Sequence, residues 1–168
     1  MHLRRGRFGV RPCLRRSRYC TLEGMQPDET DWKIIRILQA GYAPNNTIAR
    51  ELGISEGTVR LRLKKLKEAG ILEVKALINP DVLENQQLAL VAMRVAESRL
   101  LERKAEEVAA LESVISVAIA SGRYDLLAEV LVDSNRGLVR FLTEQLSTVE
   151  GVISSESFLM LKSYGKFV

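Results

Sequence analysis

The sequence predicts an α+β protein in two parts: a helix-turn-helix domain of winged-helix type, then a ferredoxin-like βαββαβ domain. Three observations predict it. Between residues 28 and 70, three stretches with helical apolar spacing are each closed by a glycine, at Gly41, Gly53 and Gly70. Asn79-Pro80 then breaks the pattern like a hinge. Beyond it, stretches of strand and helix character follow in the order βαββαβ, the split βαβ arrangement.

The elements can be justified in turn. The first helix, residues 28–40, has Asp28 or Thr30 as its cap and acids in its first turn, and Trp32, Ile34, Ile35, Ile37 and Leu38 form its buried face. Asn46 is positioned to cap a second, short helix over residues 47–52. Ser55 caps a third, residues 55–69, and Ile54 and Val59 flank that cap with the spacing of a hydrophobic staple. Residues 71–78 read as extended. In the second part, residues 88–95, 114–120, 125–132 and 154–161 read as strands, with a turn at 121–124. Residues 100–111 form a helix with Leu101, Ala105 and Val108 on one face, and 135–146 a helix presenting Leu138, Leu142 and Leu146. Both helices cover one face of the sheet. The apolar residues of the other face lie open unless something covers them, which is a physical reason to expect a dimer. The domains are therefore expected at 25–75 and 87–168, joined by a linker at 76–86.

Charge is unevenly placed. The net formal charge of the 168 residues is +4, but residues 1–24 hold seven arginines against Glu23. Residues 28–75 carry +2 and residues 76–168 carry −4. A basic first part and an acidic second part suggest two jobs, with only the first facing phosphate. Residues 1–24 lack apolar periodicity and read as disordered, so Met25 is the expected natural start. A basic arm and a transit peptide are the alternatives. The longest apolar run, residues 88–93, is far too short to span a bilayer, and no signal peptide is visible. Cys13, Cys20 and His2 all fall in the N-terminal stretch without metal-ligand spacing. No metal, no cofactor and no membrane partner are expected, and the cytoplasm is the expected location.

The third helix carries the sharpest chemistry. With Val59 at the centre of the buried face, Leu63 and Leu66 fall beside it, and Gly57, Arg60, Leu61, Lys64 and Lys65 point outward. A small N-terminus at Ser55, Gly57 and Thr58 lets such a helix enter a major groove of double-stranded DNA. Ser55, Thr58 and the free N–H groups of the first turn suit phosphate, and Asn46 lies on the preceding helix. Arg60 and Lys64 are the candidates for base edges, Leu61 for a thymine methyl. Arg62, at the margin of the buried face, either holds a phosphate or buttresses the first helix. A lysine-rich helix face is usually only solvated. The capped short helix before it, the Ala49–Gly53 spacing and the small N-terminus favour DNA.

These residues also carry a resemblance. DETDWKIIRILQ and NNTIARELGISEGTVRLRLKKLKEAGIL, then Asn79-Pro80, SGRYDLLAEVLV and VEGV, resemble the leucine-responsive/asparagine-synthetase regulator (Lrp/AsnC) family over about residues 28–163. The resemblance implies a transcriptional regulator whose second domain dimerises, often assembles into octamers, and binds an amino acid or related small molecule between dimers. Two segments map onto that site: Ser121, Gly122, Arg123, Tyr124 and Asp125, and the start of the last strand, Ser154, Ser155, Glu156 and Ser157. Asp125 can pair an ammonium, and N–H groups around Gly122, helped by Ser121 or Arg123, a carboxylate. The plainer alternative is that Gly122 permits a hairpin turn and Asp125 bonds its own backbone. Arg123 sits where family side chains vary, and either fills the pocket or selects an acidic ligand. Two other functions compete: a ligand-sensing or assembly module that no longer reads DNA, and an enzyme of similar architecture such as a tetrapyrrole decarboxylase. Intact Arg60, Lys64 and Lys65 count against the first. A lone histidine in the N-terminal stretch counts against the second.

Overall fold

The computed structural model describes residues 25–168. The expectations for residues 1–24, with His2, Cys13 and Cys20, lie outside the described residues. Two compact units are present, one ending at Ala76 and the other spanning Leu77–Val168.

The first unit holds α1 (Glu29–Ala40), α2 (Asn45–Leu52) and α3 (Glu56–Glu68). Ile34, Ile48, Ala49 and Val59 form its core, and Ile54 packs there beside Val59, as a staple should. The expected burial of Trp32 fails; it is half exposed, and Asp31 is buried instead. The reason is periodicity: Asp31, Ile34 and Ile35 lie on one helical stripe, which Trp32 only flanks. The cap of α2 is also corrected. Pro44 occupies the N-cap position with no side-chain bond, and Asn46 sits inside the first turn. Proline's φ of −64° fits the extended cap position, and its carbonyl opens the helix by accepting from the Thr47 and Ile48 N–H groups, at 3.0 and 3.1 Å. Residues 71–78 form no strand, although the backbones of Ile78 and Val168 exchange two hydrogen bonds, at 2.9 and 3.0 Å.

Gly53 makes the tight turn between α2 and α3. It is left-handed, with φ 66° and ψ 30°, and a Cβ there would meet nothing within 4 Å. Substitution is therefore a question of backbone strain alone. Gly53→Ala should destabilise this unit by about 1 kcal/mol. Gly53→Asn, which tolerates this conformation better, should recover part of the loss. Urea unfolding of the three proteins checks this; equal midpoints would show that the turn relaxes without strain.

The second unit contains β1 (Gln87–Val95), α4 (Leu101–Ala109), β2 (Val114–Ile119), β3 (Leu126–Val132), α5 (Asn135–Arg140) and β4 (Val152–Leu159). The sheet order is β2-β3-β1-β4, and every pair is antiparallel. Val108 of α4 and Phe141 and Leu146 after α5 pack on Ala89, Val91 and Met93 of β1 and on Leu126, Ala128 and Val130 of β3. The last helix is not the uniform 135–146 helix expected. Past Arg140 it widens over Phe141–Gln145, and the Leu146 N–H reaches back to the Phe141 carbonyl. This five-residue spacing puts Phe141 and Leu146 on the core face, while Leu138 and Leu142 are only partly buried.

The opposite sheet face is not wholly open. Leu88 and Ala92 are buried there, and Leu90, Leu127 and Leu131 half-buried. Lys166 near the chain's end hydrogen-bonds Glu129, which is paired with Leu90 on that face. Phe158, paired with Leu90 from the other side, stays half-exposed.

Candidate functional site

In α3, Ser55 Oγ accepts from the Thr58 N–H at 3.1 Å, so the expected cap is present. The two hydroxyls also bond each other at 2.8 Å. Gly57 is exposed, and a Cβ on it would meet only Ser55 Oγ, at 3.7 Å. Packing does not require glycine there; its small size leaves the helix N-terminus open to close approach. Arg60, Leu61, Lys64 and Lys65 all face solvent, while Val59 and Leu66 are buried and Leu63 packs on the core. Asn46 is exposed, with only a long contact from the Thr47 hydroxyl to its side chain, at 3.4 Å.

Two of the outward cations carry acidic partners. Arg60 pairs with Glu56 at 2.7 Å, and Lys64 approaches Glu68 at 3.8 Å, each one turn away on the same helix. Exposed pairs of this spacing are worth only about 0.3–0.5 kcal/mol, so a phosphate or base edge can displace the acid. Lys65 makes no ion pair among the described residues.

Arg62 turns the other way. Its Nη1 donates to Asp28 Oδ2 at 2.6 Å and to Asp31 Oδ1 at 2.8 Å. The two aspartates are themselves locked in a capping box: the Asp31 N–H donates to Asp28 Oδ1 at 2.8 Å, and the Asp28 N–H to Asp31 Oδ2 at 3.1 Å. The Asp31 N–H first, then Arg62, hold the Asp28 carboxyl below the usual aspartate range. Of the two roles open to Arg62, the geometry supplies the buttress. It pins the N-terminal half of α3 to the start of α1.

In the second unit, a cleft of about 720 Å³ opens at one end of the sheet. Gly122, Arg123, Tyr124, Asp125 and Ser155 line it, as do Ser154 and Glu156. Ser121 and Ser157 are not in its lining. Ser157 pairs with Val91, whose side chain is in the core, so it lies on the helix-covered face of β4. Arg94, Val95, Ala96 and Ser98 complete the cleft, and sequence reasoning missed them. One signal was available: Arg94 is the only charged residue in β1.

The cleft is shaped by a bulge. The β1–β4 register shifts between Arg94 and Val95, and the Val95 N–H donates to Asp125 Oδ2 at 2.8 Å. The Asp125 N–H donates to the Met93 carbonyl, and its own carbonyl accepts from Ala120, both at 2.9 Å. Asp125 is thus anchored to a neighbouring strand rather than folded onto its own backbone. Gly122, at φ 139°, holds a conformation that side chains disfavour, which lets the loop turn beside Asp125. The Arg123 guanidinium lies 5.7 Å from the centre of the Tyr124 ring.

A helix-turn-helix unit with a basic outer helix and a separate α+β unit bearing a polar cleft are the two parts of a ligand-binding DNA regulator. Comparison with known proteins agrees with both parts. Residues 27–73 match the winged helix-turn-helix DNA-binding family, and residues 88–166 match the Lrp/AsnC ligand binding domain. The chain is 37% identical over 142 residues to an uncharacterized HTH-type transcriptional regulator of Pyrococcus furiosus, covering 82% of this chain and 95% of that one. It is 30% identical over 139 residues to the HTH-type transcriptional regulator FL11 of Pyrococcus abyssi, covering 82% and 91%. Two solved structures share the fold at 23% identity. One is the leucine response regulatory protein of Mycobacterium tuberculosis, with TM-score 0.69 over 83% of this chain and 95% of that one. The other is a transcriptional regulator of Neisseria meningitidis in complex with L-Met, with TM-score 0.62 over 84% and 94%. The chain belongs to the Lrp/AsnC family and is a DNA-binding transcriptional regulator.

Proposed function

We propose that α3 reads DNA with Arg60 and Lys64 at base edges, Leu61 at a thymine methyl, and Ser55, Thr58, Lys65 and Asn46 at the backbone. The observation that carries this is the outer face of α3: uncovered, basic, and entered through a serine-capped, glycine-bearing first turn. Residues 25–75 form the reading part, residues 76–86 the connection, and residues 87–168 the part that dimerises and binds an effector. Paired copies present two reading helices, so the operator has approximate two-fold symmetry. The half-exposed Phe158 and its apolar neighbours on the sheet support the dimer. The effector is a small molecule of the amino acid class, held in the cleft beside Asp125. The complex of the Neisseria regulator with L-Met supports that class. Binding controls the regulator through unequal affinity for its DNA-competent and other states. Regulation rather than catalysis is the function, exercised in the cytoplasm on DNA. No helix of the described residues is long and apolar enough to cross a membrane.

Selecting genomic fragments on the full chain tests this reading and yields the operator; no enrichment over random sequence would overturn it. On that operator, Arg60→Ala should lose about tenfold in preference over scrambled DNA, or about 1.4 kcal/mol, within the range of one bidentate base contact. If it weakens both DNAs equally, Arg60 contacts a phosphate. Glu56→Gln should do the opposite and tighten both DNAs a few-fold, because it frees Arg60 and removes a negative charge facing phosphate.

A further inference from the structure

The linker does little to hold itself in place. Asn79 caps a single turn at Pro80–Val82, and the Gln86 N–H reaches only the Leu83 carbonyl, so these bonds are local. Among the described residues, the long-range hydrogen bonds of residues 77–86 both go to Val168. The Ile78 N–H donates to the Val168 carbonyl at 2.9 Å, and the Val168 N–H to the Ile78 carbonyl at 3.0 Å. The first unit ends at Ala76, so only Leu77 separates it from this pair.

Val168 is itself anchored through the tail that follows β4. The Met160 N–H donates to the Leu88 carbonyl at 2.9 Å, and further on Lys166 hydrogen-bonds Glu129 Oε1. The other oxygen of that carboxylate accepts from the Ser116 hydroxyl at 3.1 Å, so β2 and the tail share Glu129. Pro80, Asp81, Leu83 and Gln86 of the linker line a cavity of about 310 Å³ together with Met160–Ser163 of the tail. Covering apolar surface is not what the tail does. Leu161, Tyr164 and Phe167 stay exposed, whereas Lys166 and Val168, on either side of Phe167, are partly buried and make the bonds.

The consequence is one of length. With the Ile78–Val168 pair closed, the first unit is tethered through Leu77. With it open, the first linker-side residue held in the sheet is Gln87, paired with Val132, and residues 77–86 all lie between. An extended chain spans ~3.3 Å per residue, so about 30 Å of slack appears, close to one turn of duplex DNA. Each base pair added between two half-sites moves one of them along and around the duplex. A slack linker follows that movement and a tied one does not.

We infer that the tail, residues 160–168, is a strap that fixes the linker at Ile78 and so restricts the paired reading helices to one half-site spacing. This rests on the reading of the regulator as a dimer on an operator of two-fold symmetry.

The test compares four proteins: the full chain, a chain ending at Gly165, Lys166→Glu, and Lys166→Glu combined with Glu129→Lys. Each is titrated on the selected operator and on copies lengthened one base pair at a time between the half-sites. The full chain should lose about tenfold or more in affinity within the first few added pairs, because half-site spacing is a geometric constraint. The chain ending at Gly165 should lose no more than about threefold over the same series. Lys166→Glu should fall between the two, and the reversed pair should restore the preference of the full chain. Lys166→Glu keeps every residue of the tail, so it remains informative where the shortened chain does not fold. Hydrogen exchange at the Ile78 amide reads the tie directly, slow in the full chain and fast in the chain ending at Gly165. Fast exchange at Ile78 in the full chain, or the same spacing preference in all four proteins, overturns the strap. A full chain that binds one half-site as tightly as two overturns the dimeric reading, and the spacing role falls with it. Exchange at Ile78 tells these failures apart, because it does not depend on DNA.

Discussion

Arg62→Ala should destabilise the helix-turn-helix unit by about 2 kcal/mol and weaken DNA binding without changing its salt dependence. The stability term follows from what is left behind. Asp31 is 3% exposed, and Arg62 is its one partner from another helix. Removing the guanidinium leaves a buried carboxylate oxygen unpaired, a defect worth about 1–3 kcal/mol. The binding term follows from α3 losing its tie to α1, so that Arg60 and Lys64 are held less firmly against the groove. A phosphate contact would behave differently: its loss lowers the slope of log affinity against log salt by about 1. An unchanged slope with weaker binding identifies a positioning residue, and a slope reduced by about 1 would return Arg62 to the DNA contacts. The network also has a pH signature. Because folding lowers the Asp28 pKa, its contribution is complete above the ordinary value of 3.8 and is lost as pH falls below it through the folded value. The unit should therefore lose stability toward acid, and Arg62→Ala should flatten that dependence. Thermal melts of both proteins between neutral and strongly acid pH measure it.

Phe141→Ala should cost the second unit about 3–5 kcal/mol, the usual range for emptying a buried aromatic site. Phe141 has no exposed surface and heads the largest fully buried side chains. It packs among Val91, Met93, Leu126, Ala128 and Val130 in one cluster, so no single neighbour can collapse into the space. Small domains hold about 5–15 kcal/mol in total, so the variant should be close to unfolding at ambient temperature. The contrast is Leu142→Ala one residue on, where a partly buried side chain should cost less than half as much. Denaturant titration of the pair decides it. Similar losses would mean that the widened turn at residues 141–145 does not select Phe141 for the core.

That widened turn shows where sequence reasoning stops. A period of 3.6 residues placed Leu138, Leu142 and Leu146 inward; Leu146 is buried as expected, but the five-residue step brings Phe141 into the core with it and leaves Leu138 and Leu142 only partly buried. Nothing local marks the step; it answers to the space beneath the sheet. Trp32 and Asp31 repeat the lesson in the first unit. Hydrophobicity favoured the tryptophan for the core, yet the carboxylate is buried, because an arginine 31 positions away bonds it.

The sequence by itself determined the helices of the reading domain, the outward Arg60, Leu61, Lys64 and Lys65, and the order βαββαβ. Caps, glycine stops and apolar periods act within a few residues, so they can be read locally. It also located most of the cleft, through Gly122 to Asp125 and the start of β4. Only the tertiary structure decided that Arg62 clamps α3 to α1, and that Arg94 joins Arg123 at the cleft while Ser121 and Ser157 stay out of its lining. Those outcomes depend on which residues meet across strands and helices far apart in the chain. Register and bulges set such meetings, and a one-residue shift in a strand moves a side chain to the opposite face.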